Sequence, residues 1–201
     1  MNILKIAIVQ PTLYWEQPLK NIENLTILIS QIEENTHLIV LPEMFNTGFS
    51  LRPETFSEKM DGLTISWLKK VSIDTNAAIT GSLMIEEAGK YFNRLVWVED
   101  GEVEYYYDKR HLFSLVGEDV PFAAGKEKVI ITYKNWKIAP FICYDLRFPA
   151  WCRNTEDVDI QLYVANWPEK RNHHWKLLLL ARAIENQCFV IGVNRVGLDN
   201  N

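Results

Sequence analysis

The sequence has few cysteines and no excess of positive charge, and each of these shortages excludes a class of protein. Three cysteines occur in 201 residues, Cys143, Cys152 and Cys188, and they are odd in number and widely spaced. A disulfide framework or a zinc site needs more cysteines at closer spacing, so we expect neither. The formal net charge is −5, and no cluster of Lys and Arg alternates with aromatic residues. We therefore expect no nucleic-acid partner.

Long apolar runs are also missing. The first residues, MNILKIAIVQ, form a short apolar run that stops at Gln10-Pro11. This run is too short to span a membrane and has no small-residue cleavage site, so we expect no membrane association. It is interpreted instead as the first strand, Ile3 to Val9, buried on both faces, of a cytosolic (cytoplasmic) protein. The hydrophobic content of 48% favours a globular chain, and the length favours one domain over residues 1–201.

What the chain does contain is an alternation of strand-like and helix-like segments. Between about Pro18 and Asn35, isoleucine and leucine recur at spacings of three and four, which predicts an amphipathic helix. The run LIVL at residues 38–41 predicts a buried strand. Two further strands, at residues 92–98 and 102–107, flank a Glu-Asp-Gly turn typical of a hairpin. Together these segments predict an α/β or layered αβ fold with buried sheets.

Three chemically active residues stand just past the ends of separate predicted strands. Glu43 follows LIVL and Pro42, Lys109 follows VEYYYD, and Cys143 follows APFI. The carboxyl ends of strands in such sheets are where sites assemble, so these side chains could converge. A thiolate can attack a carbonyl carbon, a carboxylate can move protons, and an ammonium can stabilise an oxyanion. Each residue alone also has an ordinary interpretation, as a solvated turn acid, a surface cation or a small core residue.

The short sequence motifs around these residues resemble those of a known protein family. LPEMFNTGF, YDKRHLF, CYDLRFP, YVANWP and ARAIENQ occur in this order along the chain. With them the sequence resembles the nitrilase, or carbon–nitrogen hydrolase, superfamily, and within it the omega-amidase or 2-oxoglutaramate amidase branch. The resemblance implies a four-layer αββα sandwich that acts on non-peptide C–N bonds without metal or organic cofactor. It also implies a homodimer paired through the helices on the cysteine side.

The resemblance also implies roles for individual residues. Glu43 matches the general base, Lys109 the stabiliser of the oxyanion, and Cys143 the nucleophile that forms a thioester. The backbone N–H of Tyr144 matches a second oxyanion donor. Glu118, in LVGEDVPF, is the best match to a further glutamate of the site.

Other candidate residues keep two interpretations. Arg147 could face the pocket and bind a substrate carboxylate, or it could pair structurally with Asp145 or another acid. Asn166 and Trp167 follow a strand end and could line the pocket, or they could serve packing. A histidine, His111 or His174, is the alternative base for a cysteine hydrolase.

The predicted function is hydrolysis of the terminal amide of a small dicarboxylic monoamide, such as 2-oxoglutaramate or 2-oxosuccinamate. The alternatives are another amidase or N-carbamoyl hydrolase of the superfamily, or a catalytically silent binding protein on the same fold. Members of the family normally continue beyond the position of Asn201 by a strand-rich segment. On that comparison, the final part of the fold is expected to be missing here.

Overall fold

The structure is a computed structural model, and it describes residues 3–198. Within these residues, nine strands form two sheets. The first sheet contains β1 (Ile6–Ile8), β2 (Leu38–Val40), β3 (Ala78–Glu87), β4 (Lys90–Glu99) and β5 (Glu102–Asp108), in that order. The second contains β6 (Ile131–Tyr133), β7 (Trp136–Ile142), β8 (Ile160–Ala165) and β9 (Phe189–Asn194), also in that order.

Five α-helices accompany the sheets, and the longer ones cover their outer faces. They are α1 (Pro18–Ile29), α2 (Pro53–Phe56), α3 (Leu63–Thr75), α4 (Pro149–Cys152) and α5 (Asn172–Asn186). Proline begins α1 at a position where its missing N–H costs nothing. The prediction that this helix reaches Asn35 was wrong, because the chain leaves the helix after Ile29 and Asn35 adopts a left-handed φ of +68° on the way into β2.

The direction of the strands brings several carboxyl ends to one edge of each sheet. Strands β1, β2 and β3 are mutually parallel, and β3, β4 and β5 form an antiparallel meander, so β5 runs in the same direction as β2. In the second sheet β7, β8 and β9 are parallel, while β6 is antiparallel to β7. The ends of β2, β5, β7 and β8 are the points from which the predicted site residues follow.

Two apolar layers hold the sheets and helices together. Leu25 of α1 and Leu68 of α3 pack with buried residues on one face of the first sheet. The opposite face packs against the second sheet, where Trp97 of β4 meets Tyr133 with ring centroids 5.4 Å apart. Helix α5 covers the far side of the second sheet and lies so close to β9 that a Cβ on Gly192 would clash with a Leu179 methyl carbon. The arrangement is the predicted αββα sandwich.

Strand β1 differs from its prediction. It is shorter than expected, spanning Ile6–Ile8, and it is partly exposed rather than buried on both faces. Because β1 is the edge strand of the first sheet, it has one strand neighbour, β2, and Ile8 is 49% exposed. Within residues 3–198, none of the helices has the length and apolar character needed to cross a membrane.

Candidate active site

Cys143 lies on a tight turn directly after β7. It begins a short 3₁₀ helix, Cys143–Arg147, which we call the cysteine turn. The φ of Cys143 is +43°, in the left-handed region that residues with side chains rarely occupy. Holding a residue there costs about 1–3 kcal/mol and occurs mostly where the surroundings require it, as at active sites.

Lys109 and Glu43 form a fully buried ion pair. Lys109 Nζ lies 2.8 Å from Glu43 Oε1 and 2.9 Å from both carboxylate oxygens of Glu118, and all three side chains are inaccessible to solvent. Burial opposes the charge of Lys109, but the two carboxylates outweigh it and raise the pKa of the ammonium above its ordinary value. Lys109 is therefore a fixed positive charge.

Glu118 lies behind Lys109 and does not line the cavity described below. Its Oε2 accepts a hydrogen bond of 2.6 Å from the backbone N–H of Phe113. Burial raises the pKa of Glu118, while Lys109 opposes that rise. This position gives no support to the predicted role of Glu118 in binding substrate, because its oxygens are occupied by Lys109 and the loop that follows it.

The Cys143 thiol lies within reach of this charge cluster. Burial raises its pKa well above the ordinary value, and the negative charge of Glu43 raises it further, while Lys109 acts in the opposite direction. The thiol is thus protonated in the resting protein, with the Glu43 carboxylate as the neighbouring proton acceptor.

A cavity of about 420 Å³ opens in front of Cys143. Its walls contain many aromatic rings and four cationic side chains. The lining residues are Trp15, Glu16, Phe49, Leu51, Arg52, Lys109, Phe113, Val116, Cys143, Tyr144, Arg147, Asn166, Trp167, Pro168 and Arg171. The predicted residues Tyr144, Arg147, Asn166 and Trp167 therefore share one cavity with Lys109 and Cys143.

Comparison with known proteins identifies the family. The profile of the carbon-nitrogen hydrolase family matches residues 5–201. The chain belongs to this family. It is 43% identical to omega-amidase YafV of Yersinia enterocolitica over 207 residues, which cover all of this chain and 78% of that protein.

Two further comparisons agree. A 2-oxoglutaramate amidase of Bacillus subtilis is 34% identical over 197 residues, covering 96% of this chain and 76% of that protein. The crystal structure of XC1258 from Xanthomonas campestris, a CN-hydrolase superfamily protein with an arsenic adduct in its active site, superimposes with a TM-score of 0.96 at 44% identity. That match covers 100% of this chain and 79% of the other. These findings confirm the predicted resemblance and fold, and this protein is a hydrolase of C–N bonds and an amidase of the nitrilase superfamily.

In this carbon-nitrogen hydrolase, Asn166 fixes the orientation of Glu43. The backbone N–H of Asn166 donates to Glu43 Oε2 at 2.8 Å, and its side-chain amide donates to the Glu43 carbonyl at 2.9 Å. Arg195 in turn donates to Asn166 Oδ1 at 2.7 Å. Asn166 thus lines the cavity, but its side-chain amide is bonded to the Glu43 carbonyl and to Arg195, and its backbone N–H is bonded to the Glu43 carboxylate.

Arg147 lies in the wall of the cavity and does not pair with Asp145. Its guanidinium stacks over the Trp167 ring at 5.0 Å and lies 3.1 Å from His174 Nδ1. Trp167 is buried and anchored through its indole N–H to the Arg171 carbonyl. Of the two interpretations of Arg147, the position in the pocket is the one that the structure shows.

The two histidines considered as alternative bases are engaged elsewhere. His111 Nδ1 lies 2.8 Å from Asp145 Oδ1, and its ring stacks on Phe148 with centroids 3.7 Å apart. His174 lies beside Arg147. The charged groups that act on the pKa of the Cys143 thiol include Glu43, Lys109 and Glu118. The geometry therefore favours Glu43 as the base.

Sequence reasoning missed Asn93, which joins the two glutamates. It lies on β4, fully buried, and its amide donates to Glu43 at 2.9 Å and to Glu118 at 3.2 Å. A signal was available, because Asn93 is a polar residue in a run of apolar and aromatic ones predicted to be a strand. Among residues 3–198, no group of three or more histidine, cysteine or acidic side chains could hold a metal ion.

Proposed function

We propose that this protein hydrolyses the terminal amide of a small dicarboxylic monoamide, of the 2-oxoglutaramate or 2-oxosuccinamate type, through a thioester on Cys143. The observation that carries the proposal is the buried Glu43–Lys109 pair, which lies beside the Cys143 thiol. The cavity in front of this thiol also has Arg147 in its wall. The similar proteins named omega-amidase and 2-oxoglutaramate amidase support it.

The reaction follows from the charges in place. Cys143 Sγ attacks the amide carbon while the thiol proton passes to Glu43, and the developing oxyanion is stabilised by the Lys109 ammonium. The backbone N–H of Tyr144 is the proposed second donor. The C–N bond then breaks as the nitrogen takes the proton from Glu43 and leaves as ammonia. Water, deprotonated by Glu43, attacks the thioester, the acid departs, and the thiol is restored.

The preference for a substrate with a free carboxylate rests on the balance of charges around the cavity. Lys109 is neutralised by its two glutamates, and Arg52 pairs with Glu16 at 2.9 Å. Within the described part of the chain, neither Arg147 nor Arg171 has an acidic partner at salt-bridge distance. Arg147, on the turn that carries Cys143, contacts His174 and Trp167, and Arg171 lies over the Phe113 ring. A guanidinium in this state suits a carboxylate at the end of the substrate remote from the amide.

A panel assay of ammonia release tests the substrate. The panel compares 2-oxoglutaramate and 2-oxosuccinamate with simple aliphatic amides, nitriles and N-carbamoyl amino acids. We expect turnover of the first two to be fastest, and Arg147→Met to raise KM for them while leaving KM for an aliphatic amide unchanged, since that amide has no group for Arg147 to bind. Comparable rates for amides with and without a distal carboxylate would refute the proposed role of Arg147 in binding that carboxylate. Fastest turnover of an N-carbamoyl amino acid would favour the alternative hydrolase.

The thioester is tested separately from the substrate. Single-turnover reaction followed by acid quenching and mass spectrometry is expected to show the acyl group on the peptide that contains Cys143. Cys143→Ala is expected to remain folded and to show neither adduct nor ammonia. Ammonia release by Cys143→Ala at the wild-type rate would end the assignment.

We further propose that the protein is a homodimer paired through α5. Leu177, Leu180 and Ile184 of α5 are each more than half exposed, and their spacing of three and four places them on one helix face. The opposite face packs on the second sheet through Trp175. An apolar stripe of this kind is typical of an interaction surface. The cytosolic location stays a prediction.

A further inference from the structure

Asp145 is a fully buried carboxylate two residues after Cys143, and the proposed mechanism does not use it. Its two oxygens accept four hydrogen bonds, all from residues that flank either Cys143 or Lys109. We propose that Asp145 is a positioning residue, which holds the Cys143 thiol and the Lys109 ammonium in the geometry needed for attack on the amide.

The first part of the argument lies within the cysteine turn. Asp145 Oδ2 accepts a bond of 3.1 Å from the backbone N–H of Ile142. This bond closes the backbone over Cys143 and Tyr144, the two residues between its ends. Because Cys143 has a left-handed φ that its side chain disfavours, the turn needs a contact that compensates for the strain. Asp145 provides that contact from inside the turn.

The second part joins the turn to the segment that carries Lys109. His111, two residues after Lys109, donates its backbone N–H to Asp145 Oδ1 at 2.9 Å, and its Nδ1 lies 2.8 Å from the same oxygen. Tyr107, two residues before Lys109, donates its hydroxyl to Oδ2 at 2.8 Å. The Asp145 carboxylate is therefore bonded to one residue that precedes Lys109 in the sequence and to one that follows it.

The donors themselves are held in place. Burial, followed by the charge of Asp145, raises the pKa of Tyr107 well above its ordinary value, so the hydroxyl keeps its proton and remains a donor. The indole N–H of Trp151 donates to the same hydroxyl at 3.0 Å, and the His111 ring stacks on Phe148. A carboxylate that is fully hydrogen-bonded to rigid neighbours is a precise link between two loops.

The test uses Asp145→Asn, which keeps the shape but replaces one acceptor oxygen by a donor. At least one of the four donors then loses its partner. We expect kcat to fall about 100-fold with KM nearly unchanged, because misplacement of reacting groups by about 1 Å has this order of effect. The rate of Cys143 alkylation by iodoacetamide, followed by mass spectrometry of its peptide, is expected to fall as well.

A matched control separates positioning from stability. Ser72 is a buried residue of α3 whose Oγ accepts a 2.9 Å bond from the Gly101 N–H, on the far side of the first sheet. Ser72→Ala is expected to lower Tm while leaving kcat and the alkylation rate of Cys143 unchanged. If Asp145→Asn behaves in the same way as Ser72→Ala, the proposal is overturned.

Milder variants keep the test decisive if Asp145→Asn does not fold. His111→Ala removes one bond to Oδ1, and His111→Asn restores a donor at the position of Nδ1 without a group able to act as base. We expect His111→Ala to lower kcat and His111→Asn to recover most of it. Wild-type kcat and alkylation in both His111→Ala and Tyr107→Phe would refute the link.

The kcat measurement rests on the proposed function, whereas the alkylation rate does not. If the wild-type protein cleaves no amide of the panel, the function is wrong. If Asp145→Asn nonetheless slows alkylation of Cys143 and Ser72→Ala does not, the positioning role stands.

Discussion

Replacing Lys109 by methionine removes the one positive charge shared by two buried carboxylates. Methionine has nearly the length of lysine and is apolar, so the change deletes the ammonium and leaves little empty space. Lys109 Nζ lies within 2.9 Å of Glu43 and Glu118, and no part of the three side chains is exposed. Removal of one partner from a buried pair costs about 3–5 kcal/mol, because the remaining charge is buried without compensation.

That energy translates into a large shift in thermal stability. For a domain of this size, 1 kcal/mol corresponds to about 2–4 °C in Tm, so Lys109→Met should melt about 6–20 °C lower than the wild type. The effect should depend on pH. Burial already raises the pKa of Glu118, and loss of the opposing Lys109 charge raises it further. A folded-state pKa above the unfolded one means that stability is retained at low pH and lost as pH rises through the folded value.

The assay is therefore thermal unfolding of Lys109→Met and wild type at about pH 5 and about pH 8, with the larger deficit expected at the higher pH. Lys69→Met is the matched control, because Lys69 pairs with Glu102 at 2.8 Å on the exposed surface, where such pairs contribute about 0–1 kcal/mol. Activity of Lys109→Met should fall at least about 100-fold, the usual effect of losing an oxyanion donor. A deficit that is the same at both pH values, or no larger than that of Lys69→Met, would refute the reasoning.

Two further predictions concern the thiol and the assembly. The ultraviolet absorbance of the thiolate, taken as wild type minus Cys143→Ala, should be absent at neutral pH. It should grow only well above the ordinary thiol pKa, because burial and the Glu43 charge disfavour the thiolate. Glu43→Gln removes that charge and should shift the same titration to lower pH; an unchanged titration would contradict the assigned contact. Leu180→Glu should convert a dimer to a monomer in analytical ultracentrifugation, whereas Ile27→Glu, an equally exposed position on α1, should not. A monomeric wild-type protein would contradict the proposed pairing.

The sequence alone indicates the three candidate residues, because each follows the end of a strand and stands within a motif of the family that the chain resembles. Glu43, Lys109 and Cys143 come after β2, β5 and β7, whose apolar or aromatic residues are readable without coordinates. The directions of β2 and β5 then place two of them at one edge of the first sheet. The buried strand β2 was predictable from its apolar run, LIVL at residues 38–41.

The contacts of the supporting residues could not be predicted, because they join distant parts of the chain. Asn93 bonds to Glu43 across 50 positions, and Asn166 bonds to Glu43 across 123. Nothing in the neighbouring residues of Asn93 or Asp145 shows which loop their polar atoms meet. The predicted end of α1 was wrong for a related reason. The helical spacing of apolar residues continues to Ile32, whereas the chain must already turn toward β2.

In the proposed mechanism, the buried groups that support the reaction lie apart from the groups that would select the substrate. Glu43, Lys109 and Glu118 are fully buried and satisfy one another, so their arrangement is independent of the substrate that enters. The cavity wall, in contrast, presents Arg147 on the cysteine turn itself, within four residues of Cys143. Substrate preference can therefore change through the wall while the buried cluster stays intact, whereas any change that moves the cysteine turn affects both. This coupling is why a residue such as Asp145, which touches neither substrate nor base, is expected to control the rate.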